Sequence, residues 1–269
     1  MLKNVGAFFA LISLAHGAEL RMLDVGEGQS IVVSPDEKAL GVIVDTGSFA
    51  RAGKTVARLI QLGRAAPDRI VLTHLHPDHA SGIFEFQRRF PKSPIFDNCH
   101  VFDFKQDSGI DSAVRWVEEF LRTKSPITRT CLKQGDEFRI GDVKVSVLWP
   151  PAKREASADL NADSLVLLVS RGEFRALLMG DAGKSVEAQL LARGLLPVPG
   201  LEVLVAGHHG ASDAGSPEFL EKLQPKEVWI SVNAQNHWGH ALPEDIERYG
   251  KPRAKVRTTA VEGELLRRF

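Results

Sequence analysis

The chain has 269 residues, which suits one large domain or two small ones and is long enough to bury a substantial core without disulfides. Lys plus Arg and Asp plus Glu are equal at 34 each, so the formal net charge is zero. A protein that coats nucleic acid usually carries a basic excess, so we expect any binding of a polyanion to be local.

Residues 1–18 have the pattern of a secretory signal. Lys3 precedes an apolar run over 5–15, and Ala15 and Gly17 place small residues at the two positions that a signal peptidase reads. The pattern predicts a signal peptide over 1–18, one domain over 19–269 and a secreted or periplasmic protein. The alternatives are a wrongly assigned start codon or an extra N-terminal strand, in a cytoplasmic protein. No other segment reaches the length of a membrane span.

Apolar runs and amphipathic stretches alternate along the rest of the chain, and their periods distinguish strands from helices. The predicted elements are strands 20–25, 29–34 and 40–46, helix 51–63, strand 69–73, helices 82–90 and 112–123, strand 143–149, loop 150–162, strands 165–170 and 175–179, helix 184–192, strand 203–206, helix 217–223 and strand 227–232. This order favours two sheets packed face to face with helices outside them.

The two cysteines, Cys99 and Cys131, lack the C-x-x-C spacing of a zinc knuckle or a redox motif. Two buried thiols are the favoured interpretation. A single disulfide is the alternative if the protein is exported, because disulfides persist in oxidising compartments.

The strongest chemical signal is the sequence THLHPDH over residues 73–79, directly after a predicted strand. Imidazole and carboxylate ligands together suit zinc, manganese or iron. Alternate residues of an extended segment face the same way, so His74 and His76 can address one point. The turn through Pro77 then directs Asp78 and His79 towards a neighbouring point. Four ligands aimed at two nearby points predict a two-metal site.

Two further strand ends carry candidate ligands. Asp181 ends the strand predicted over 175–179, where its two oxygens can bridge two cations, but an Asp there can equally cap the following helix. His208 and His209 follow the strand over 203–206. One of them is expected to bind the second metal, with His208 preferred, and the other to assist the leaving group or bind substrate.

The segment over 74–79 resembles the H-x-H-x-D-H signature of metallo-β-lactamase-fold hydrolases. The chain is also similar, motif by motif, to the hydrolase domain of ComEC competence-channel proteins. The matching segments are DVGEGQS at 24–30, IVDTG at 43–47, NADSLVL at 161–167, LMGD at 178–181, GHHGAS at 207–212 and NHWGH at 236–240. The chain departs from that pattern at Gln29, where Asp is usual, and at Ala241, where Pro is usual. Neither change removes an expected ligand.

The resemblance implies an α/β protein with the αββα four-layer sandwich of the metallo-β-lactamase fold. It implies that Asp181 binds metal and that Asn161 stands where many members of the fold have a third histidine for the first metal. Asn is a weaker, neutral ligand, so one metal should be held less tightly or through a water. The expected metal ligands are His74, His76, Asp78, His79, Asn161, Asp181 and His208.

Other polar residues are assigned supporting roles. Asp45 and Thr46 end a strand and are expected to orient ligand imidazoles. Asp24 is a candidate for the same role, but an Asp that forms a turn is an equally good interpretation. The basic residues between 248 and 257 can contact phosphates, but acidic residues lie nearby and a solvated face is favoured. His16 and His100 receive no role.

The substrate pocket is expected to be lined by His240 with Asn233 and Asn236. The predicted catalytic residues are Asp78, His209 and His240.

The expected cofactors are two divalent ions, zinc or manganese. A metal pair lowers the pKa of a shared water, so the expected nucleophile is a bridging hydroxide held in line by Asp78 and Asp181. The ComEC resemblance favours a phosphodiesterase or nuclease acting on a small-molecule or nucleic-acid phosphodiester. The alternatives are a carboxylic ester, lactone or β-lactam hydrolase, and a non-enzymatic metal-binding module of an uptake or envelope assembly.

Overall fold

The computed structural model describes residues 17–63, 66–100, 112–124, 129–153, 159–235, 239–251 and 253–269. The signal peptide predicted over 1–18 therefore lies outside the described residues, except for its last two positions, and so does Asn236. Within these described ranges, no helix combines the length and the apolar character that crossing a bilayer requires.

The first half of the chain supplies most of one sheet and the helices that cover it. Its elements are β1 (Glu19–Met22), β2 (Ile31–Ser34), β3 (Val42–Val44), α1 (Phe49–Gln61), β4 (Arg69–Leu72), α2 (Pro77–Ala80), α3 (Ile83–Arg89), β5 (Ile95–Asp97), α4 (Ser112–Glu119), a π-helical turn (Phe120–Lys124) and β6 (Arg129–Cys131).

The second half supplies the other sheet and returns to the first with its last strand. Its elements are β7 (Glu137–Ile140), β8 (Val143–Trp149), β9 (Val166–Arg171), β10 (Phe174–Leu178), α5 (Lys184–Ala192), β11 (Val203–Val205), a 3-10 turn (Gly207–Gly210), α6 (Pro217–Leu223), β12 (Glu227–Ile230), α7 (Pro243–Gly250), β13 (Lys255–Thr258), α8 (Thr259–Glu262) and β14 (Leu265–Arg268).

The two sheets have matching layouts. The first has the order β14-β1-β2-β3-β4-β5-β6, antiparallel from β14 to β3 and parallel from β3 to β6. The second has the order β13-β12-β11-β10-β9-β8-β7, parallel from β13 to β10 and antiparallel from β10 to β7. Each sheet therefore has a parallel half, whose carboxyl ends share one edge.

Side chains on the two faces of each sheet fill separate cores. On β4, Val71 packs between the two sheets, whereas Ile70 and Leu72 pack on the side of α1, α3 and α4. On the outer face of the second sheet, Leu177 and Leu204 pack with residues of α5, α6 and α7. A sheet buried on both faces needs apolar residues at successive positions, which explains the near-continuous apolar runs of its parallel strands. The predicted αββα four-layer sandwich is confirmed.

The sequence analysis did not predict the helices α2, α7 and α8 or the strands β5, β6, β7, β13 and β14. These strands have three or four residues and several carry charged side chains, so the period-two pattern is too brief to recognise. The basic region also differs from a fully solvated face. Arg248 donates to Asp245 and to the carbonyl of Ala211, and Arg257 pairs with Glu227 and Glu262.

Cys99 and Cys131 form a disulfide bond, so the interpretation as two buried thiols is wrong. Cys131 is exposed and Cys99 is half-buried. The pairing follows from the sheet: β5 and β6 run in parallel with Asp97 opposite Cys131, which brings position 99 beside the end of β6. This register depends on tertiary structure, and a separation of 32 residues conceals it in the sequence.

Candidate metal centre

The carboxyl ends of five strands from both sheets converge on one site. Because β3 and β4 pair in parallel, as do β10, β11 and β12, their carboxyl ends emerge at one edge of each sheet. The candidate residues that follow these strands are Asp45 after β3, His74, His76, Asp78 and His79 after β4, Asp181 after β10, His208 and His209 after β11, and Ser231 after β12.

Asp45 is completely buried, and its carboxylate accepts four hydrogen bonds. Oδ1 accepts from the backbone N–H of Thr73 at 2.7 Å. Oδ2 accepts from the Thr73 hydroxyl at 2.9 Å, from Gln29 Nε2 at 3.1 Å and from His79 Nδ1–H at 2.8 Å. A hydrogen bond to a charged group contributes about 1.5–3 kcal/mol, so four of them offset the cost of burying the charge. Asp45 thus fixes the His79 ring, as expected.

The same carboxylate sets the orientation of the neighbouring imidazole. The Thr73 hydroxyl donates to Asp45, so its oxygen accepts from His74 Nδ1–H at 3.1 Å. His79 Nδ1–H likewise donates to Asp45. Nε2 of each ring is therefore directed away from Asp45 and into the site, and it offers a lone pair there when the ring is neutral.

A first group of donors forms around His74. Its Nε2 lies 3.0 Å from Nδ1 of His76 and 3.5 Å from Oδ2 of Asp181. Asp181 is free to face this group because Gly183, not Asp181, caps α5. The alternative interpretation of Asp181 as a helix cap is therefore wrong.

A second group forms around His79. Its Nε2 lies 3.0 Å from Nε2 of His209 and 3.0 Å from Oδ1 of Asp181, and Asp78 Oδ2 lies 3.2 Å from the same His209 nitrogen. His209 Nδ1–H donates to the carbonyl of Ser231 at 2.9 Å, so in the neutral ring the lone pair lies on Nε2, which faces this group. Asp181 therefore directs one oxygen towards each group.

These donors suit divalent cations. In the neutral rings of His79 and His209, the two Nε2 atoms that face each other at 3.0 Å both carry lone pairs and repel unless a cation or proton lies between them. Asn161 Oδ1, at the edge of the first group, is a buried acceptor without a hydrogen-bond partner. Imidazole, carboxylate and amide oxygen are ligands that zinc and manganese accept.

The electrostatics of the site also favour bound positive charge. Burial on its own would lower the pKa of the His79 imidazole, but the carboxylates of Asp181, Asp78 and Asp45 raise it well above its usual value. Burial would likewise raise the pKa of the Asp181 carboxyl, but His79, His209 and His74 hold it well below its usual range. The carboxylates of Asp181 and Asp78 therefore remain charged and stabilise a cation placed beside them.

The structure places His209, not His208, in the second group. Both residues have left-handed backbone, with φ of 45° at His208 and 52° at His209. This conformation costs about 1–2 kcal/mol per non-glycine residue. It also turns the two side chains away from the directions that they would have at the end of an extended strand. His208 instead donates from Nδ1–H to Asp213, whose two oxygens lie 2.9 Å away. The preference for His208 as the ligand of the second metal is therefore not supported by the geometry.

Two residues, Asn98 and His100, hold the turn that carries Asn161, and the sequence analysis gave neither a role. His100 Nδ1–H donates to Asp163 Oδ2 at 2.6 Å, and Asn98 Nδ2 donates to the Asp163 carbonyl at 2.7 Å. Both partners flank Cys99, so the disulfide anchors the segment that supports this turn. An isolated histidine in the sequence does not indicate that it supports a turn elsewhere. Knowledge of the disulfide at Cys99 would have been needed to recognise the role of His100.

The two donor groups lie at the base of a cavity of about 440 Å³. As expected, His240 and Asn233 line it; the ring of His240 lies 5.0 Å from that of His208. Glu27 lines the cavity too, a carboxylate that the sequence did not single out. Asp24 does not; it accepts from the backbone of Gly26 within a turn. The arrangement can hold cations beside a substrate that enters from solvent.

Comparison with curated proteins links the chain to competence proteins. It is 26% identical over 273 residues to ComE operon protein 3 of Bacillus subtilis, covering 95% of this chain and 34% of that protein. It is 28% identical over 247 residues to Recombination protein 2 of Haemophilus influenzae, covering 90% and 28%. It is 27% identical over 239 residues to Competence protein ComA of Neisseria gonorrhoeae, covering 87% and 30%. The chain thus spans about a third of the length of these relatives.

Solved structures share the fold. The metallo-beta-lactamase fold protein YhfI from Bacillus subtilis superposes with a TM-score of 0.59 at 12% identity, covering 94% of this chain and all of that chain (100%). Igni18, a metallo hydrolase from Ignicoccus hospitalis, superposes with a TM-score of 0.54 at 15% identity, covering 93% and 99%. At these identities the likeness concerns the fold alone.

The family model described as the metallo-beta-lactamase superfamily matches residues 23–227, which include the whole H-x-H-x-D-H segment, Asp181 and both histidines after β11. The chain therefore belongs to the metallo-β-lactamase superfamily and is a ComEC-like, metal-dependent hydrolase of that fold.

Proposed function

We propose that this chain is a phosphodiesterase that uses two divalent metal ions, zinc or manganese. The observation that carries the proposal is the shared carboxylate of Asp181, whose Oδ2 faces His74 and whose Oδ1 faces His79. One carboxylate that serves two adjacent donor groups suits a pair of cations, and paired metal sites are used for in-line displacement at phosphorus.

The residues divide into two proposed ligand sets. The first is His74, His76, Asp181 and the amide oxygen of Asn161. The second is Asp78, His79, His209 and Asp181. Divalent ions bound there would lower the pKa of a water and stabilise charge on the non-bridging oxygens of the substrate.

The remaining side chains position these ligands and contact the substrate. Asp45 and Ser231 hold the rings of His79 and His209 through their Nδ1–H groups, so neither imidazole needs to reorient. His208 and His240 form a wall of the cavity. We assign to this pair the contact with the leaving-group oxygen, whereas the catalytic histidines predicted from the sequence were His209 and His240.

Two arguments favour phosphodiesters as the substrate. Their non-bridging oxygens already carry the negative charge that a cationic centre attracts, whereas an ester or lactam develops charge only during reaction. The relatives are also named for competence and recombination, processes that act on nucleic acid, a polymeric phosphodiester. Because the chain spans only about a third of those proteins, we apply the substrate class to it as a proposal.

We predict manganese- or zinc-dependent hydrolysis of bis-p-nitrophenyl phosphate and of single-stranded DNA, lost on addition of a chelator and recovered on adding back metal. The measurement is p-nitrophenol release and oligonucleotide cleavage with purified, metal-quantified protein. Robust cleavage of a carboxylic ester, lactone or β-lactam, with no cleavage of either phosphodiester under the same conditions, would replace the proposal by its alternative. Full metal loading without hydrolysis of any of these would favour a binding module.

Replacing the two adjacent histidines separately should distinguish their roles. We expect His209→Ala to lose about one equivalent of metal, because it removes a donor that faces His79 and Asp78. We expect His208→Ala to keep its metal but to lower kcat, because its Nδ1–H donates to Asp213 outside the donor groups. Elemental analysis and kinetics on both variants provide the test. Loss of metal in His208→Ala but not in His209→Ala would reverse the assignment.

Adding an imidazole at position 161 should tighten the first site. We predict that Asn161→His lowers the zinc Kd of the weaker site by about tenfold while leaving the melting temperature of the metal-free protein nearly unchanged. Asn161→Ala is the matched control, because it removes the amide without adding a ligand, and its zinc Kd should rise. Calorimetric metal titration measures both. Equal Kd values in the three proteins would show that position 161 contacts no metal.

We also propose that the protein is exported, to the periplasm or the cell exterior. The signal-like pattern over 1–18 motivates the proposal, and the disulfide between Cys99 and Cys131 supports it, because such bonds persist in oxidising compartments. We predict that mass spectrometry of the protein from its native cells finds an N-terminus near residue 18. Soluble protein that retains Met1 and two free thiols would contradict export.

A further inference from the structure

A second cavity, of about 360 Å³, opens beside the candidate metal centre. Asn233 lines both cavities. The turn over 24–28 also contributes to each, with Gly26 at the second cavity and Gly28 at the metal centre. Gly26 and Gly28 are two residues apart, and two residues of chain span at most about 7 Å. The two cavities are therefore close enough for one extended substrate to occupy both.

Two cationic side chains of α1 line this second cavity, Arg51 and Lys54. The guanidinium of Arg51 lies close over the backbone of Gly26, where a Cβ would sit 3.3 Å from Nε and 3.6 Å from Cζ. In the part of the chain that the structure describes, neither cation forms an ion pair, whereas Arg58 of the same helix binds Glu264. Arg51 and Lys54 are therefore available to an external anion.

The other groups of the cavity do not cancel this charge. Among the described residues that line the cavity, Asp24 is the single carboxylate, and its Oδ1 accepts from the backbone N–H of Gly26 at 3.1 Å. The remaining polar side chains are amides and hydroxyls, those of Asn233, Gln235, Thr55 and Thr259. A guanidinium and an ammonium beside amide groups form a composition that binds phosphate oxygens.

We propose that Arg51 and Lys54 form an anion subsite that binds a phosphate of a polymeric substrate while a neighbouring linkage of the same strand reaches the metal centre. The inference rests on the proposed phosphodiesterase function and adds a preference for polymers over single diesters. The subsite also makes binding of a polyanion compatible with a net charge of zero. Two unpaired cations beside the metal centre attract phosphate locally, although the whole chain does not.

The test compares two charge-reversal variants of the full chain with equal changes in net charge. The first is Arg51→Glu with Lys54→Glu. The control is Arg193→Glu with Lys222→Glu, at exposed positions beyond the end of α5 and in the last turn of α6. Binding of a labelled single-stranded DNA oligonucleotide is measured by fluorescence anisotropy in EDTA, so that no metal is needed. Hydrolysis of bis-p-nitrophenyl phosphate with metal provides the second readout, and thermal melting confirms that each variant is folded.

We expect the first variant to raise the oligonucleotide Kd by about tenfold or more. The magnitude of the slope of log Kobs against log salt concentration should fall by about 0.7, the value of one phosphate contact on a single strand. Its kcat/KM for bis-p-nitrophenyl phosphate should stay within about twofold of wild type, because a substrate with one phosphorus cannot span both cavities. The control should bind and hydrolyse like wild type.

Three outcomes would overturn the subsite: wild-type protein that does not bind the oligonucleotide, a first variant that binds it as tightly as wild type, or a control that loses binding equally. These outcomes are distinct from failure of the proposed function. Oligonucleotide binding that depends on Arg51 and Lys54, in a protein that hydrolyses no phosphodiester, would keep the subsite and reject the phosphodiesterase.

Discussion

The site depends on one buried charge, the carboxylate of Asp45. A carboxylate without solvent contact is strongly destabilising unless donors surround it, and Asp45 obtains them from Thr73, His79 and Gln29. Because Thr73 and His79 lie at the two ends of the segment over 73–79, their hydrogen bonds hold that segment against Asp45 at the end of β3, and Gln29 joins it from a third part of the chain. The same bonds determine which nitrogen of His74 and His79 faces the site. The buried Asp45 carboxylate thus determines both the position of the segment over 73–79 and the orientation of its imidazole rings.

A second constraint joins the two sheets at this edge. Gly28 has a φ of +107°, and a Cβ there would lie only 2.0 Å from the Asp78 carbonyl, so no other residue fits without moving the ligand segment. The Gly28 carbonyl accepts from the Ser231 hydroxyl at 2.6 Å, and Ser231 in turn accepts from His209. The turn over 24–28 is therefore held between a ligand segment of the first sheet and the strand end that supports His209 in the second. The donors from the two sheets meet because this turn connects them.

Much of the architecture could be predicted because its signals are local. The period of apolar residues identifies α1 and β4, and the spacing of His74, His76, Asp78 and His79 indicates a candidate metal-ligand cluster before any tertiary contact is known. The direction of His209 could not be predicted, because it depends on two successive left-handed residues that only the surrounding structure stabilises. The disulfide could be given only as an alternative, because it depends on the register between β5 and β6. The role of His100 was missed, because it depends on a contact with Asp163, 63 residues away.

The central claim is that Asp181 lies between two neighbouring cation sites, one beside His74 and His76 and the other among Asp78, His79 and His209. Anomalous diffraction from crystals grown with zinc, recorded above and below the zinc edge, tests this most directly because it locates metal without reference to activity. The account predicts two anomalous peaks, both bonded to Asp181, with His209 bonded to the second. A single peak, or a second peak bonded to His208 in place of His209, would contradict it.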